Sequence, residues 1–121
     1  MNQDMSVDGV YYSLKNAKII STFLGKEHGC FTFWINIEYS GGSGQGAGGI
    51  CLDDVGDSGR VGNARGMELL NKIMDVVGVT AWEDLPGKYV RVYWNHNGIG
   101  SIWNILEDNG VWFDQFIRGG Q

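Results

Sequence analysis

The side chains with the clearest capacity for chemistry are arginines, tryptophans and asparagines in the second half of the chain. An arginine guanidinium makes two parallel hydrogen bonds to a phosphate, and a tryptophan ring stacks a nucleobase for about 1–3 kcal/mol. The candidate ligand-binding residues are Arg65, Arg91, Trp94, Trp103, Asn104 and Arg118. Arg60, Asn95, Asn97 and Trp112 are of the same types and offer the same chemistry. Together they indicate a nucleotide-like ligand, although each residue type alone is also typical of a solvated surface or a buried core.

Other chemistries have weaker support in the sequence. His28 and His96 are far apart, and the acidic group at Asp53, Asp54 and Asp57 lacks the glycine and the terminal glutamate of a calcium-binding EF-hand loop. No GxSxG motif marks a nucleophilic serine. We therefore predict no metal, no cofactor and no catalytic residue, and hence a protein that is not an enzyme.

A glycine-rich run over residues 40–49 contains a formal GxGxxG match at Gly44, Gly46 and Gly49. A dinucleotide-binding fingerprint must follow a strand and open a helix, whereas this run leads into a short apolar segment and two aspartates. It also lacks the Gly-Lys-Ser/Thr ending of a phosphate-binding P-loop. The run therefore predicts a bend within a sheet, or a place where another backbone or a ligand approaches closely.

Hairpins position the candidate residues. Residues 17–24 and 30–39 are predicted to form two strands joined by a turn, because both segments are rich in β-branched and aromatic side chains. Residues 88–94 alternate between two faces and lead through the turn signal Asn97-Gly98 into a return strand over residues 99–106. Four of the six candidate residues lie on this second hairpin.

Between the hairpins, Asn63 can cap a helix that ends at Gly78 and whose apolar residues recur at helical spacing. Its predicted apolar face contains Met67, Leu70, Ile73, Met74 and Val77. Thr80 and Glu83 form a capping box for a second, short helix that stops at Pro86. This order predicts an α+β fold, in which an antiparallel β-sheet built from hairpins is covered by one long and one short helix.

Length and composition limit the class of protein. The 121 residues predict a single folded domain over residues 17–121, preceded by a flexible extension over residues 1–16. The net charge of −5 argues against polymeric nucleic acid as a partner, and no apolar run reaches the ~20 residues of a membrane span. With no leader sequence, the expected location is the cytoplasm. Cys30 and Cys51 fit no disulfide framework and are expected to be buried, reduced thiols.

Several motifs, in order along the chain, resemble the small phage-encoded anti-defence proteins of the Thoeris type one family, which act as sponges for cyclic nucleotides. The resemblance covers nearly the whole predicted domain and rests on residues 19–29, 41–53, 66–68, 82–88 and 112–113. The chain departs from the family pattern at Ala47 and Ile50, where aromatic residues would be expected. These departures concern the packing around the glycine run and the range of ligands.

The resemblance implies binding without turnover. Proteins of this family sequester the cyclic ADP-ribose isomers made by Thoeris immune sensors, such as gcADPR, and they are linked to the cyclic di- and trinucleotides of CBASS immunity. They form homo-oligomers that are assembled from dimers, including hexamers, and the ligand pocket lies between protomers. The chain is therefore expected to bind small cyclic nucleotides in a host bacterial cell, with no membrane partner.

The resemblance also implies roles for individual residues. Trp94 would stack adenine, and Asn104 would make a hydrogen bond to the ligand. Arg65 and Arg118 would contact phosphates, and the two remaining candidates on the second hairpin stay open as alternatives. A second site for trinucleotides would lie on an oligomer axis, near Lys26, His28 and Ser101.

Two other functions stay open. A phage inhibitor that blocks a host immune protein by direct contact would form a complex with that protein and would take up no small molecule. A hydrolase that cleaves the immune nucleotide would need a general base near the phosphates. No residue of the sequence stands out for that role.

Overall fold

The computed structural model describes residues 3–118, and the side chains of residues 3–116. Within this range the chain forms nine β-strands and two α-helices. The strands are β1 Met5–Val7, β2 Val10–Glu27, β3 Cys30–Tyr39, β4 Gly44–Gly48, β5 Asp53–Gly56, β6 Gly59–Gly62, β7 Tyr89–Asn95, β8 Gly98–Asn104 and β9 Gly110–Trp112. The helices are α1 Ala64–Val77 and α2 Asp114–Arg118. The predicted α+β class, with one long and one short helix, is confirmed, although the short α-helix lies at Asp114–Arg118 and not at the predicted position before Pro86.

The main sheet is antiparallel and runs in the order β4-β3-β2-β7-β8-β9, with β1 paired to the start of β2. Strand β2 is central because its first half pairs with β7 and its second half pairs with β3. Strand twist curls the sheet until β4 approaches β7 and β8, where Gln45 donates from Nε2 to the backbone oxygen of Asn95 over 3.1 Å. The sheet is therefore strongly curved, and its inner face lies on the concave side.

The folded part of the chain begins earlier than the sequence predicted. Residues 10–16, expected in a flexible extension through residue 16, belong to β2, and residues 13–18 pair with β7. The Tyr93 hydroxyl also donates to the backbone oxygen of Gln3 over 3.0 Å. The prediction missed this strand because its pairing partner lies far along the chain, and local pattern carries no information about such a partner.

The inner face of the sheet holds the hydrophobic core. Its fully buried strand residues include Ile19, Phe33, Ile35, Val90, Val92 and Ile102. Helix α1 covers this face with Leu69, Ile73 and Val76, which are buried. The predicted apolar face of the helix is displaced, because Met67 is 62% exposed while Leu69 and Val76 face the core.

Local signals do fix the ends of α1. The Asn63 side chain accepts a hydrogen bond from the backbone N–H of Gly66 over 2.6 Å, and Gly78 ends the helix with a φ of 91°. The predicted capping box at residues 80–83 is wrong, because Trp82–Asp84 forms a 3₁₀ turn without a side-chain cap. Pro86 has no backbone N–H, so the helical hydrogen bonds cannot continue beyond this turn. No helix in the described range is long and apolar enough to cross a membrane.

The glycine run forms the edge strand β4, and its lack of side chains has a packing reason. A Cβ atom on Gly48 would lie 2.6 Å from the carbonyl oxygen of Phe33, and one on Gly49 would lie 2.6 Å from the Trp34 ring. Both glycines also have positive φ, +117° and +73°. The predicted close approach is therefore confirmed as contact between β4 and the backbone and rings of β3.

Cys30 and Cys51 are joined by a disulfide, so the prediction of two reduced thiols is wrong. Residues 49–53 run beside β3, where the Leu52 N–H donates to the Phe31 carbonyl over 2.7 Å. This brings the two cysteine Cα atoms to 5.6 Å, within the range that a disulfide spans. No local pattern predicts the bond, because the contact depends on how the chain turns after β4.

Candidate ligand site

One concave feature of the described structure is a groove of about 930 Å³, which we call the aromatic groove. It lies between the β1–β2 hairpin, the irregular start of β8, the end of β4 and the start of α2. Its lining includes Asp8, Tyr12, Gly48, Trp112, Phe113 and Asp114. The volume lies within the range of small-molecule sites, about 300–1,000 Å³.

Packing on the outer face of the sheet holds the rings of the groove in place. The rings of Tyr12 and Trp112 meet edge to face with centroids 5.3 Å apart, and Trp112 stacks on Tyr93 at 5.3 Å with planes 17° apart. A Cβ atom on Gly100 would lie 2.7 Å from the Tyr12 ring, so this ring rests directly on the β8 backbone. A pre-ordered, half-buried pair of rings is suited to stacking a flat ligand.

The polar lining of the groove is acidic. Asp8 occupies the β1–β2 turn with a φ of 51°, and Asp114 begins α2. Carboxylate oxygens accept hydrogen bonds from hydroxyl and amine groups. No described side chain that lines the groove is cationic. The groove alone therefore fits the ring and sugar parts of a nucleotide better than its phosphates.

A second, smaller cavity of about 210 Å³ adjoins the groove at the start of α1. Ile50 lines both cavities, and α2 contributes Gln115 to the groove and Phe116 to the small cavity. Arg65 and Gly66, in the first turn of α1, also line the small cavity. The start of an α-helix favours anions, because its first backbone N–H groups have no partner within the helix.

The cations near the small cavity are in different states. Arg60 donates to the Asp53 carboxylate from Nη2 over 2.6 Å and from Nε over 3.2 Å. This hydrogen-bonded guanidinium, aided by the Phe31 backbone N–H, holds the pKa of Asp53 below its ordinary value. Arg65 is half-buried and has no hydrogen-bond or ion-pair partner among the residues that the structure describes. Arg65 is thus the cation that an anionic ligand can engage without breaking an existing pair.

Trp94, the predicted stacking residue, lies elsewhere. It packs against the core and lines neither the groove nor the small cavity. The Lys15 ammonium sits 4.6 Å from the Trp94 ring centroid and 5.1 Å from that of Tyr39. The ammonium group of Lys15 therefore already covers the Trp94 ring in this structure.

The Asn104 side chain is hydrogen-bonded within the fold. Its Nδ2 donates to the Val76 carbonyl near the end of α1 over 2.9 Å. Its Oδ1 accepts from the backbone N–H groups of Leu106 and Glu107, both over 2.9 Å. The side chain thus joins the end of α1 to the loop that follows β8.

The alternatives on the second hairpin are also engaged. Arg91 is 7% exposed and donates to the carbonyls of Asn104 over 2.8 Å and Glu107 over 2.7 Å. The Trp103 indole donates to the hydroxyl of Ser101 over 2.9 Å, and Ser101 is fully buried. These residues stabilise the outer face of the sheet, and they lie outside both cavities.

The remaining predicted residues are not brought together. Lys26 and His28 are exposed at the β2–β3 turn, whereas Ser101 lies on β8 between Tyr93 and Trp112. The Arg118 side chain lies outside the described residues, although its backbone ends α2. Of the predicted ligand-binding residues, Arg65 is the one that the described structure places in a cavity.

Sequence reasoning missed the groove itself. Tyr12 falls within the predicted flexible extension, and Trp112 offers a stacking ring but is not among the six candidate ligand-binding residues. The available signal was the aromatic character of the Tyr11-Tyr12 pair in a segment that is otherwise predicted to be flexible.

Comparison with models of known protein families, with curated proteins and with solved structures finds no match for this chain.

Proposed function

We propose that the protein binds a small cyclic nucleotide and sequesters it without cleavage. The ligands are cyclic ADP-ribose isomers such as gcADPR, together with cyclic di- and trinucleotides, in the cytoplasm of an infected bacterial cell. The observation that carries the proposal is the aromatic groove, which adjoins a cavity where Arg65 lies at the start of a helix. The family resemblance of the sequence motifs supports the same ligand class.

The base and the sugar of a nucleotide have matching surfaces in the aromatic groove, and Arg65 offers its phosphates a cation in the small cavity, beside the already hydrogen-bonded Asp53 and Asp54. The base would stack on Trp112 or Tyr12, and ribose hydroxyls would donate to the carboxylates of Asp8 and Asp114. The phosphates would extend past Ile50 to Arg65 and the first turn of α1. Stacking at about 1–3 kcal/mol per base, together with charge-assisted hydrogen bonds of about 1.5–3 kcal/mol each, supports tight binding without any catalytic group.

We propose that the functional unit is a homo-oligomer built from dimers, up to a hexamer. Apolar side chains exposed along β2, at Ile20, Phe23 and Leu24, support association of protomers. The aromatic groove is lined by one chain, so ligand binding there does not itself require association of protomers. Sedimentation velocity over a range of protein concentrations measures this association directly.

A retention assay tests the function. The purified protein is incubated with cyclic ADP-ribose, unbound ligand is removed by filtration, and the heat-released material is chromatographed. Intact ligand in the released fraction is the expected result. A smaller product would make the protein an enzyme, and absence of any uptake would favour direct inhibition of a host protein.

Variants locate the site within the same assay. Trp112→Ala is expected to weaken binding by about 5- to 150-fold, since stacking of one base is worth about 1–3 kcal/mol. Tyr89→Ala is the matched control, because Tyr89 is 58% exposed and lines neither cavity. Arg65→Ala is expected to weaken binding and to reduce its salt dependence, whereas Lys72→Ala on the same helix should not. Full retention by Trp112→Ala would contradict the groove as the base site.

A further inference from the structure

We propose that the disulfide between Cys30 and Cys51 controls the ligand site through its redox state. The oxidised form holds the wall shared by the two cavities in its binding geometry, and two-electron reduction loosens that wall and lowers ligand affinity. Cytoplasmic thiols favour the reduced form, so formation of the bond would raise uptake above the level of the reduced protein. This inference rests on the proposed function for its effect on binding. Its structural part, a redox-sensitive cavity wall, is measurable without ligand.

The position of the disulfide carries the inference. Cys51 lines the small cavity, and the preceding Ile50 lines both cavities. The following Leu52 and Asp53 line the small cavity as well. The bond attaches this whole wall to Cys30, the first residue of β3. Any change in the bond therefore acts directly on residues that shape the site.

Hydrogen bonds keep the same wall in place when the covalent bond is absent. The Gly49 N–H donates to the Phe33 carbonyl over 2.8 Å, and the Thr32 hydroxyl donates to the Ile50 carbonyl over 2.7 Å. The Leu52 N–H donates to the Phe31 carbonyl over 2.7 Å. These bonds can open and close locally. Reduction should thus raise the frequency of opening without unfolding the chain, and reoxidation should restore the wall.

The two sulfur atoms differ in access. Cys51 is exposed, whereas Cys30 is only 6% exposed. A thiolate of a dithiol reductant attacks Sγ of Cys51, the S–S bond breaks, and Cys30 leaves as a thiolate that takes a proton from water. The second thiolate of the reductant then attacks the mixed disulfide and releases Cys51, which is protonated in turn. The dithiol is oxidised to its disulfide as the protein gains two thiols.

Hydrogen exchange and ligand binding test the proposal on the full chain. Oxidised protein and protein reduced with dithiothreitol are compared for amide exchange and for affinity toward cyclic ADP-ribose. Reduction is expected to accelerate exchange at the amides of Phe31, Gly49 and Leu52, with the central amides of β7 and β8 unchanged. Affinity is expected to fall about tenfold, within the usual range of couplings between a local ordering step and a ligand.

The double variant Cys30→Ser/Cys51→Ser is the control, since it should match the reduced protein and ignore dithiothreitol. Equal exchange in the oxidised and reduced forms would overturn the proposal, as would loss of protection throughout β7 and β8, which means global unfolding. Equal affinity in the two forms would also overturn it. If the oxidised protein takes up no cyclic ADP-ribose, the proposed function fails, whereas the exchange data still decide whether the wall is redox-sensitive.

Discussion

Replacing Asn104 by alanine tests whether this residue serves the fold or the ligand. Its side chain makes three hydrogen bonds of 2.9 Å, to the carbonyl of Val76 and from the amides of Leu106 and Glu107. A typical intramolecular hydrogen bond contributes about 0.5–1.5 kcal/mol net. We therefore expect Asn104→Ala to lower the free energy of unfolding by about 2–3 kcal/mol, a large part of the about 5–15 kcal/mol of an ordinary domain.

Urea denaturation monitored by tryptophan fluorescence measures this change. With a slope of about 1–3 kcal/mol/M, the midpoint should fall by about 1–2 M at an unchanged slope. Asn71→Ala is the matched control, because it removes a single exposed hydrogen bond of 3.0 Å to the Met67 carbonyl. Asn104→Asp keeps both acceptor contacts and loses the donor to Val76. Its urea midpoint should therefore lie between those of Asn104→Ala and Asn71→Ala. An unchanged midpoint in Asn104→Ala, with reduced nucleotide retention, would refute the structural role.

Three further predictions concern backbone strain and pH. Gly48→Ala should cost at least about 2 kcal/mol, because its methyl carbon would lie 2.6 Å from a carbonyl oxygen at a φ of +117°. Gly62→Ala, with nothing within 4 Å, is the control, and equal midpoints would contradict this account. Burial raises the pKa of Tyr39 to about 12. Absorbance titration should therefore show that Tyr39 ionises later than an ordinary tyrosine. The stability that the neutral side chain contributes should be lost as the pH rises from about 10 to 12, and Tyr39→Phe should not show this loss. The Arg60 hydrogen bond lowers the pKa of Asp53, so its contribution to stability should be present above about pH 4 and lost as the pH falls through the folded-state pKa. If stability falls with decreasing pH in the same way in Arg60→Ala, the proposed contribution of the Asp53 carboxylate is wrong.

The parts of the fold that were predicted correctly carry local signals. Asn63 and Gly78 mark the ends of α1, and the Asn97-Gly98 dipeptide marks the β7–β8 turn, where Gly98 has a φ of 138°. Such signals act within a few residues, so one sequence suffices to find them. The start of β2 and the disulfide depend on partners far along the chain. Their positions depend on tertiary packing, which the local sequence pattern does not reveal.

The candidate site was harder to predict, for a chemical reason. A guanidinium or a carboxamide that can bind a ligand can equally satisfy buried backbone groups. Arg91 does this with two carbonyls, and Asn104 does it with one carbonyl and two amides. Residue type alone does not separate these uses. Arg65 differs because it lies in the first turn of α1, and the start of a helix favours anions.

Two tryptophans compete for the role of base platform, and the structure gives them different requirements. Trp112 already faces the aromatic groove, so a single chain can offer it to a ligand. Trp94 lines neither cavity, and Lys15 covers its ring at 4.6 Å. Displacing an ammonium from an exposed ring costs about 0.5–1 kcal/mol, which is less than the about 1–3 kcal/mol gained by stacking a base. The ammonium therefore does not exclude a base from Trp94, but the missing wall must come from a second protomer.

The two assignments thus differ in how binding depends on protein concentration. Binding at Trp112 should persist when the protein is diluted until sedimentation shows only monomer. Binding at Trp94 should disappear over the same dilution, because a pocket at this ring would need a wall from a second protomer. Equilibrium dialysis with cyclic ADP-ribose across that range, on the parent chain and on Trp94→Ala and Trp112→Ala, separates the two. Uptake that survives dilution and is lost in Trp112→Ala alone is the result we expect, whereas uptake that follows the oligomer and is lost in Trp94→Ala would move the base site to the interface.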